Sequence, residues 1–553
     1  MLNSLFLYLQ QQPVLVLFLV IGLGYLVGAI RCAGISLGPV GGVLIVGLVF
    51  GHLGFTMYAA GQTFGFVLFI FCVGYQAGPQ FIDVLLSDGL KYLTLALVVA
   101  ITGFTISVLA ANVLGLAPGL SAGLMGGAMT TTPTLAAAQE AVRSGLAKVP
   151  VGYTSEQVIS NIGAGYALTY LFGLIGLILI IRLMPKVLGV DLPAEAAKLN
   201  SNDGALSGPN LSEITRRTYR VTQEKYLGLS VQEIQMAAPE DISVAAIRRG
   251  GETIVLDNTT CFELGDEVLV IGRVSFLLAN VPDFGEEISD KEGLDVVMCN
   301  AQVVVSKPGV IGIPIRDIRL QEHIGALVLG VRRQRSALPV NDDLELLRGD
   351  VITVHGPEFA VQQMTDHIGH VELDVVETDL FTFALGIAVG IGLGNLAVTF
   401  GGLTIKLGMA GGLLISGLSV GFLRSIWPVF GRVPSASRWL LMELGLLMFM
   451  AGVGINSGGA IVGVIQSAGI ELIGVGMLVT LSPVFVGYFV GRKILKLNPA
   501  EVLGGVTGAM TSGAALSVVT DAAKSNAPSL GYTGAYAFAN VILTLAGTLI
   551  MLI

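Results

Sequence analysis

Thr130, Thr131, Thr132 and Thr134 crowd around Pro133 in GAMTTTPTLAAAQEAVRS, residues 127 to 144; the phrase returns as GAMTSGAALSVVTDAAKS, residues 508 to 525, with Thr511, Ser512 and Gly513 in the matching places. Hydroxyls at this density can donate or accept hydrogen bonds to a small polar solute. Pro133 would break a helical ladder and free carbonyls. A broken helix also presents N–H groups at an N-terminus, where the dipole favours an anion. Together these groups suit non-covalent capture of a small charged solute in surroundings where an uncompensated charge is prohibitively costly. The competing reading is packing, since small hydroxylated residues let helices approach and bond back to their own backbone. Gly513 and Ala514 stand where the first copy has Thr132 and Pro133. The two half-sites are therefore unequal, and the first, richer in donors, is the expected principal one.

Further candidates lie outside the repeated phrase. VGYQAG from Val73 and VGINSG from Val453 put Gln76 and Asn456 in equivalent places. Those amides either read carboxylate or ammonium groups or cap a helix end. Asn161 and Asn540, with Tyr166 and Tyr536, form a second rank, and interfacial anchoring is the alternative for the tyrosines. Glu443 is the clearest acid near an apolar span; it can hold an ammonium, couple a proton, or pair with Arg438 at the interface. The histidines (His52, His323, His355, His367, His370) show no ligand spacing, and Cys32, Cys72, Cys261 and Cys299 form no CxxC pair. Neither a metal site nor a disulfide framework is expected. No Walker loop and no Ser, His and Asp set occurs in the apolar halves, so no cofactor, ATP drive or enzymatic activity is expected.

Such residues need helices in a membrane to position them. Of 553 residues 12% are charged and 53% hydrophobic, with mean hydropathy +0.79, a composition that excludes an ordinary soluble protein. Lipid is an expected partner. The net charge of −9 is concentrated centrally, and no basic run suggests nucleic acid. One span is expected within the first 30 residues, then spans at about 36–53, 62–78, 92–116 and 158–182; the second half reads 380–397, 407–423, 440–458, 469–491 and 529–553. GPVGGVLIVGLVFG aligns with GMAGGLLISGLSVG at an offset of 370 residues, VGYQAG with VGINSG at 380, the GAMT phrases at 381, and AGYALTY from Ala164 with GAYAFAN from Gly534 at 370. These ordered matches identify an internal duplication. With the N-terminus outside, five crossings per half and each GAMT segment re-entrant, Arg31, Lys91, Arg182, Lys186, Arg424, Arg432, Arg438, Arg492, Lys493 and Lys496 fall inside, leaving mainly Arg143, Lys148 and Lys406 outside. This satisfies the positive-inside bias and makes the repeats inverted. Six crossings per half would make them parallel.

Residues 190–378 turn abruptly soluble in type and are themselves double. EVLVIG follows the Gly265-Asp266 turn as VITVHG follows Gly349-Asp350. These units resemble the TrkA C-terminal (RCK-C) domain, a small α/β regulatory module. The whole chain, with two GAMT-bearing apolar halves around that tandem insert, resembles the aspartate:alanine exchanger family of bacterial secondary transporters. The expected fold is a polytopic α-helical membrane protein of inverted repeats, about five crossing helices plus a broken or re-entrant segment each, with a central soluble α/β tandem TrkA-C insert. The expected boundaries are 1–189, a linker at 190–209, cytoplasmic units at 210–292 and 293–377, and a second repeat at 378–553. The resemblance implies exchange of small amino acids or dicarboxylates, aspartate against alanine first and succinate among the others, across the inner membrane. It also implies a homodimer and a regulatory ligand on the cytoplasmic pair. An RCK-regulated ion channel or cation/proton antiporter is the alternative, and a sensor with vestigial transport a third.

Overall fold

The computed structural model describes the chain apart from residue 1 and residues 33–34, 87–88, 201–213, 238–241, 255, 257–258, 274–276, 278–284, 289–295, 297, 319–325, 334–335, 342, 372–377, 401–402 and 428–429. It divides into one unit of Met1–Ala196 with Val375–Ile553 and another of Ala197–Asp374. The first half begins with α1 (Leu2–Gln10) and α2 (Pro13–Ala29), followed by a short β-hairpin of β1 (Arg31–Cys32) and β2 (Ile35–Ser36). Then come α3 (Gly38–His52), α4 (Ala59–Leu86), α5 (Gly89–Leu114), the short helices α6 (Leu120–Ala128) and α7 (Thr132–Arg143), and the long α8 (Ser155–Val187). A capping box starts α8: Thr154 Oγ1 accepts from the Gln157 amide at 3.2 Å, while Gln157 Oε1 accepts from the Thr154 amide at 2.9 Å. The expected linker opens as a helix, α9 (Leu192–Asn200), and the rest of it, 201–209, lies outside the described residues, as does His323.

The central unit holds two five-stranded antiparallel sheets of one plan. The first comprises β3 (Ile214–Val221), then after the short α10 (Val231–Ala237), β4 (Ile242–Arg249), β5 (Glu252–Ile254), β6 (Glu267–Arg273) and β7 (Gly285–Ile288). The second comprises β8 (Met298–Val305), β10 (Leu327–Arg333), β11 (Ser336–Leu338), β13 (Val351–Pro357) and β14 (Gly369–Val371), with a separate pair β9 (Ile313–Pro314) and β12 (Glu345–Leu346), and α11 (Glu358–Ile368) before the last strand. The strand orders are β5-β4-β6-β3-β7 and β11-β10-β13-β8-β14, so each strand matches its counterpart. The copies stand 84 residues apart even in detail: a bulge at Val244/Ala246 recurs at Val328/Gly330. Arg249 holds Asp266 with two hydrogen bonds of 2.8 Å, and Arg333 holds Asp350 at 2.8 and 2.6 Å. Each aspartate also accepts a turn amide, Glu263 N at 2.8 Å and Leu347 N at 2.9 Å. This explains why Gly-Asp recurs before the strand: the glycines adopt φ +89° and +80° and the aspartates tie the turn to the sheet. The two sheets share an apolar core that includes Ala245, Leu269 and Ile271 from one and Leu327 and Leu329 from the other.

The second half retraces the first. It runs α12 (Leu380–Asn395), a hairpin of β15 (Ala397–Phe400) and β16 (Leu403–Lys406), α13 (Gly408–Ile426), α14 (Ser435–Ser457), α15 (Ile461–Phe489), the short pair α16 (Pro499–Ala509) and α17 (Gly513–Ala523), and α18 (Pro528–Leu549). Among the described residues six helices are long and apolar enough to cross a membrane, Ala59–Pro79, Gly89–Leu114, Ser155–Val187, Gly408–Ile426, Ser435–Ser457 and Ile461–Ile494. Glycines set the packing between halves. A methyl at Gly65 would meet Gly445 O at 2.6 Å and Phe449 N at 2.8 Å, and one at Gly452 would meet Gln62 Cγ at 2.7 Å, so α4 and its counterpart α14 pack antiparallel. A methyl at Gly74 would meet Leu414 O at 2.5 Å, and one at Gly78 would collide with Leu418 O, so α4 and α13 run parallel. Side-chain-free contact of this kind is how helices associate closely in lipid.

Candidate functional site

The two short-helix pairs are the elements that position the GAMT residues, and the first doubles back on itself. Methyls at Gly119, Gly123 and Gly127 would strike the carbonyl oxygens of Val158, Ile162 and Tyr166, so α6 runs along α8 in the same direction. Thr132 then lies opposite Tyr166 (Oγ1 to Oη 3.3 Å) and Gln139 opposite Ile159 (Nε2 to O 3.2 Å), so α7 returns in the other. The reversal is at Met129–Thr131. Its backbone bonds, Thr130 N to Gly127 O at 3.0 Å and Thr131 N to Gly126 O at 2.8 Å, recur as Thr511 N to Gly508 O at 2.9 Å and Ser512 N to Thr507 O at 3.0 Å. Thr130 and Thr511 both sit at φ +54°, an uncommon conformation for a β-branched residue. The α6–α7 and α16–α17 pairs are thus hairpins with the same tip.

The tips meet. Thr130 Oγ1 donates to Met510 O at 3.1 Å, and Thr511 Oγ1 reaches Thr130 O at 3.5 Å. Around this contact the N-termini of α7 and α17 present their first amides. Ser512 caps α17, its Oγ accepting from Ala515 N at 3.4 Å, while Thr131 caps nothing. In the first hairpin the hydroxyls are engaged by protein: Thr134 Oγ1 donates to Leu543 O at 2.9 Å and to Thr131 Oγ1 at 3.3 Å, and Thr132 pairs with Tyr166. All of Thr131 through Val142 is buried. In the second hairpin Gly513 and Ala514 are exposed and Thr511 is half-buried; a methyl at Gly513 would meet only Tyr532 Oη, at 3.7 Å. Accessibility and donor count therefore rank the two half-sites in opposite orders. The first copy's extra Thr132 and Pro133 are packed in, while the missing side chain at Gly513 leaves room beside the α17 amides and the Tyr532 hydroxyl.

The other expected residues disperse. Asn456 is exposed, and its Nδ2 donates to the buried Gln62 Oε1 at 2.9 Å. Gln76 is half-buried, with no side-chain hydrogen bond among the described residues. Asn161 Nδ2 holds Pro118 O at 3.0 Å, at the base of α6 and away from the tip, and Asn540 bonds within its own helix to Tyr536 O at 2.8 Å. Glu443 is half-buried on α14, off the hairpins. Sequence reasoning missed Tyr532, Gln62 and the acid–base pair Glu140/Arg143, although QEAVRS and TDAAKS sit inside the repeated phrase and carry that pair twice.

The family model Asp-Al_Ex, described as a predicted permease membrane region, matches residues 16–186 and again 382–552. The chain belongs to this permease family. A TrkA-C domain model matches residues 301–369, the second of the two central sheets, and no solved structure matches. In this permease the two matched ranges begin and end 366 residues apart, and the packing of the tyrosines corrects the alignment of AGYALTY with GAYAFAN to that same offset. A methyl at Gly508 would strike Tyr532 O as one at Gly127 strikes Tyr166 O, and stacked rings 5.3 Å apart pair Tyr166 with Tyr170 and Tyr532 with Tyr536. Tyr166 thus corresponds to Tyr532, one helical turn earlier than Tyr536. The slip arose because tyrosines four apart look alike when displaced by one turn.

Proposed function

We infer that this permease is a secondary transporter that exchanges small amino acids or dicarboxylates, aspartate against alanine first, across the bacterial inner membrane by alternating access. The observation that carries the reading is the meeting of two re-entrant tips through Thr130, Met510 and Thr511. Two helix N-termini and several hydroxyls converge there, a setting suited to a carboxylate in an otherwise apolar unit. Inversion of the repeats is supported by the antiparallel packing of α4 against α14 and by the side on which the arginines and lysines collect. On that topology the first hairpin enters from outside, the second enters from the cytoplasm, the central unit is cytoplasmic and both termini are outside. The reading extends to a regulatory ligand on the central pair, whose second sheet matches a TrkA-C domain, and to a homodimer.

Counterflow in proteoliposomes loaded with alanine, aspartate or succinate tests this. Uptake of labelled aspartate driven by internal alanine is expected. A conductance independent of all three solutes would overturn exchange in favour of a regulated channel.

A further inference from the structure

We propose that the returning arms of the two hairpins carry paired polar locks, one shut and one open in this structure, and that transport exchanges them. The inference rests on the carrier reading above.

The shut lock is on α7. Gln62 of α4, 1% exposed, is its hub: Nε2 donates to Gln139 Oε1 at 3.2 Å, and Oε1 accepts from Asn456 Nδ2 at 2.9 Å and from Arg143 at 3.3 Å. Gln139 Nε2 reaches on to Ile159 O of α8 at 3.2 Å. One arm is thereby fastened to α4, α8 and α14 together. Glu140, 5% exposed, sets Oε2 3.6 Å from Arg143 Nη1, an ion pair that holds the arginine beside the hub.

The counterparts on α17, at the GAMT offset of 381 residues, are Thr520, Asp521 and Lys524. Asp521 and Lys524 are exposed, and among the described residues Thr520 bonds within its own helix, to Leu516 O at 3.3 Å and Ser517 O at 2.9 Å. Gly513, Ala514, Ser517 and Asp521 form one exposed, partly polar face, as a water-filled approach requires and a lipid-facing stripe does not. The counterpart of Asn456 is Gln76, whose amide makes no hydrogen bond among the described residues, and the counterpart of Gln62 is Met442. Exchanging the conformations of the halves brings α17 inward, so that Thr520 and Lys524 close on Met442 beside Gln76, as Gln139 and Arg143 close on Gln62 beside Asn456. The second lock lacks the glutamine hub and is the weaker, which accounts for a resting form open beside the second hairpin.

The test uses the full chain with its four cysteines replaced, carrying either Gln62→Cys with Gln139→Cys or the matching Met442→Cys with Thr520→Cys. The first pair should cross-link at rest. The second should cross-link weakly, rising several-fold when Arg143→Gln or, in a separate variant, Asn456→Ala loosens the first lock. Either cross-link should stop counterflow, and reduction should restore it. Failure of the second pair to cross-link in every background while counterflow continues would overturn the locks and leave the carrier standing. If wild-type counterflow is absent, the carrier reading fails, while exchange between the two cross-links still decides whether the locks exist.

Discussion

Thr130 and Thr511 occupy the same left-handed backbone conformation, φ +54° in each, and each turns its hydroxyl toward the backbone of the opposite tip, Thr130 to Met510 O at 3.1 Å and Thr511 to Thr130 O at 3.5 Å. A β-branched side chain held at positive φ costs about 1–3 kcal/mol, and glycine would remove that cost. Retaining threonine twice is intelligible if the hydroxyls serve the tip contact. Thr511→Gly should therefore fold at least as stably as the parent yet lose exchange, and Thr511→Ser should retain it. Losing one hydrogen bond of about 1.4 kcal/mol corresponds to a tenfold drop in the initial rate of counterflow. Equal rates for the glycine and serine variants would reduce the hydroxyl to packing.

Gly513 is the position where the two half-sites differ most simply. Its absent side chain leaves Tyr532 Oη 3.7 Å from where a methyl would stand, whereas Thr132 fills the matching place against Tyr166 at 3.3 Å. Gly513→Thr should fold, because nothing lies closer than that hydroxyl. It should also raise the apparent KM for the solute about tenfold, as expected when about 1.4 kcal/mol of uniform binding is removed. An unchanged KM in the initial-rate assay would place the solute elsewhere.

Glycines at the α16–α18 contact make a prediction about stability. A methyl at Gly504 would collide with Pro528 O and one at Gly531 with Glu501 O, both rigid backbone, while at Gly474 nothing lies within 4 Å. Gly531→Ala should lower the apparent Tm in detergent markedly, since overpacking costs about 1–3 kcal/mol or more. Gly474→Ala should leave it unchanged or slightly higher, because alanine is the better helix former by about 1 kcal/mol. Comparable Tm values for the two variants would contradict the packing.

Much of this architecture was legible in the sequence because the bilayer and duplication leave coarse marks. Apolar runs located helices at the expected spans, six of them long and apolar enough to cross among the described residues, the GAMT repeat located both tips, and Gly265-Asp266 with Gly349-Asp350 located corresponding turns. The accessibility of the half-sites was not legible. Hydroxyl counting favours the first copy, yet which hydroxyls are engaged depends on partners such as Leu543 O and Tyr166, brought near by packing rather than by chain order. Arg143 read as a topology charge because its hub, Gln62, is 81 residues away. The one-turn error at Tyr536 shows the limit of alignment within a helix whose aromatic residues recur every four positions.

The duplicated ion pair of the central unit allows a controlled comparison of burial. Arg333 and Asp350 are 9% and 0% exposed at their side chains, whereas Arg249 is 31% exposed beside an Asp266 that is 1% exposed. The geometry is shared down to the arginine's extra bond to a backbone carbonyl, Glu345 O at 2.8 Å and Cys261 O at 2.7 Å, except that Arg249 also pairs with Glu263, where the second copy has Leu347. Removing one partner of a buried pair leaves the other charge without compensation and costs about 3–5 kcal/mol, while an exposed arginine leaves its partner reachable by water. Arg333→Met should therefore accelerate hydrogen exchange throughout β13 and β8, read on the full chain, by more than Arg249→Met accelerates it in β6 and β3. Equal acceleration at the two sites would mean that water reaches Asp350 as readily as Asp266, against their positions beneath the two turns.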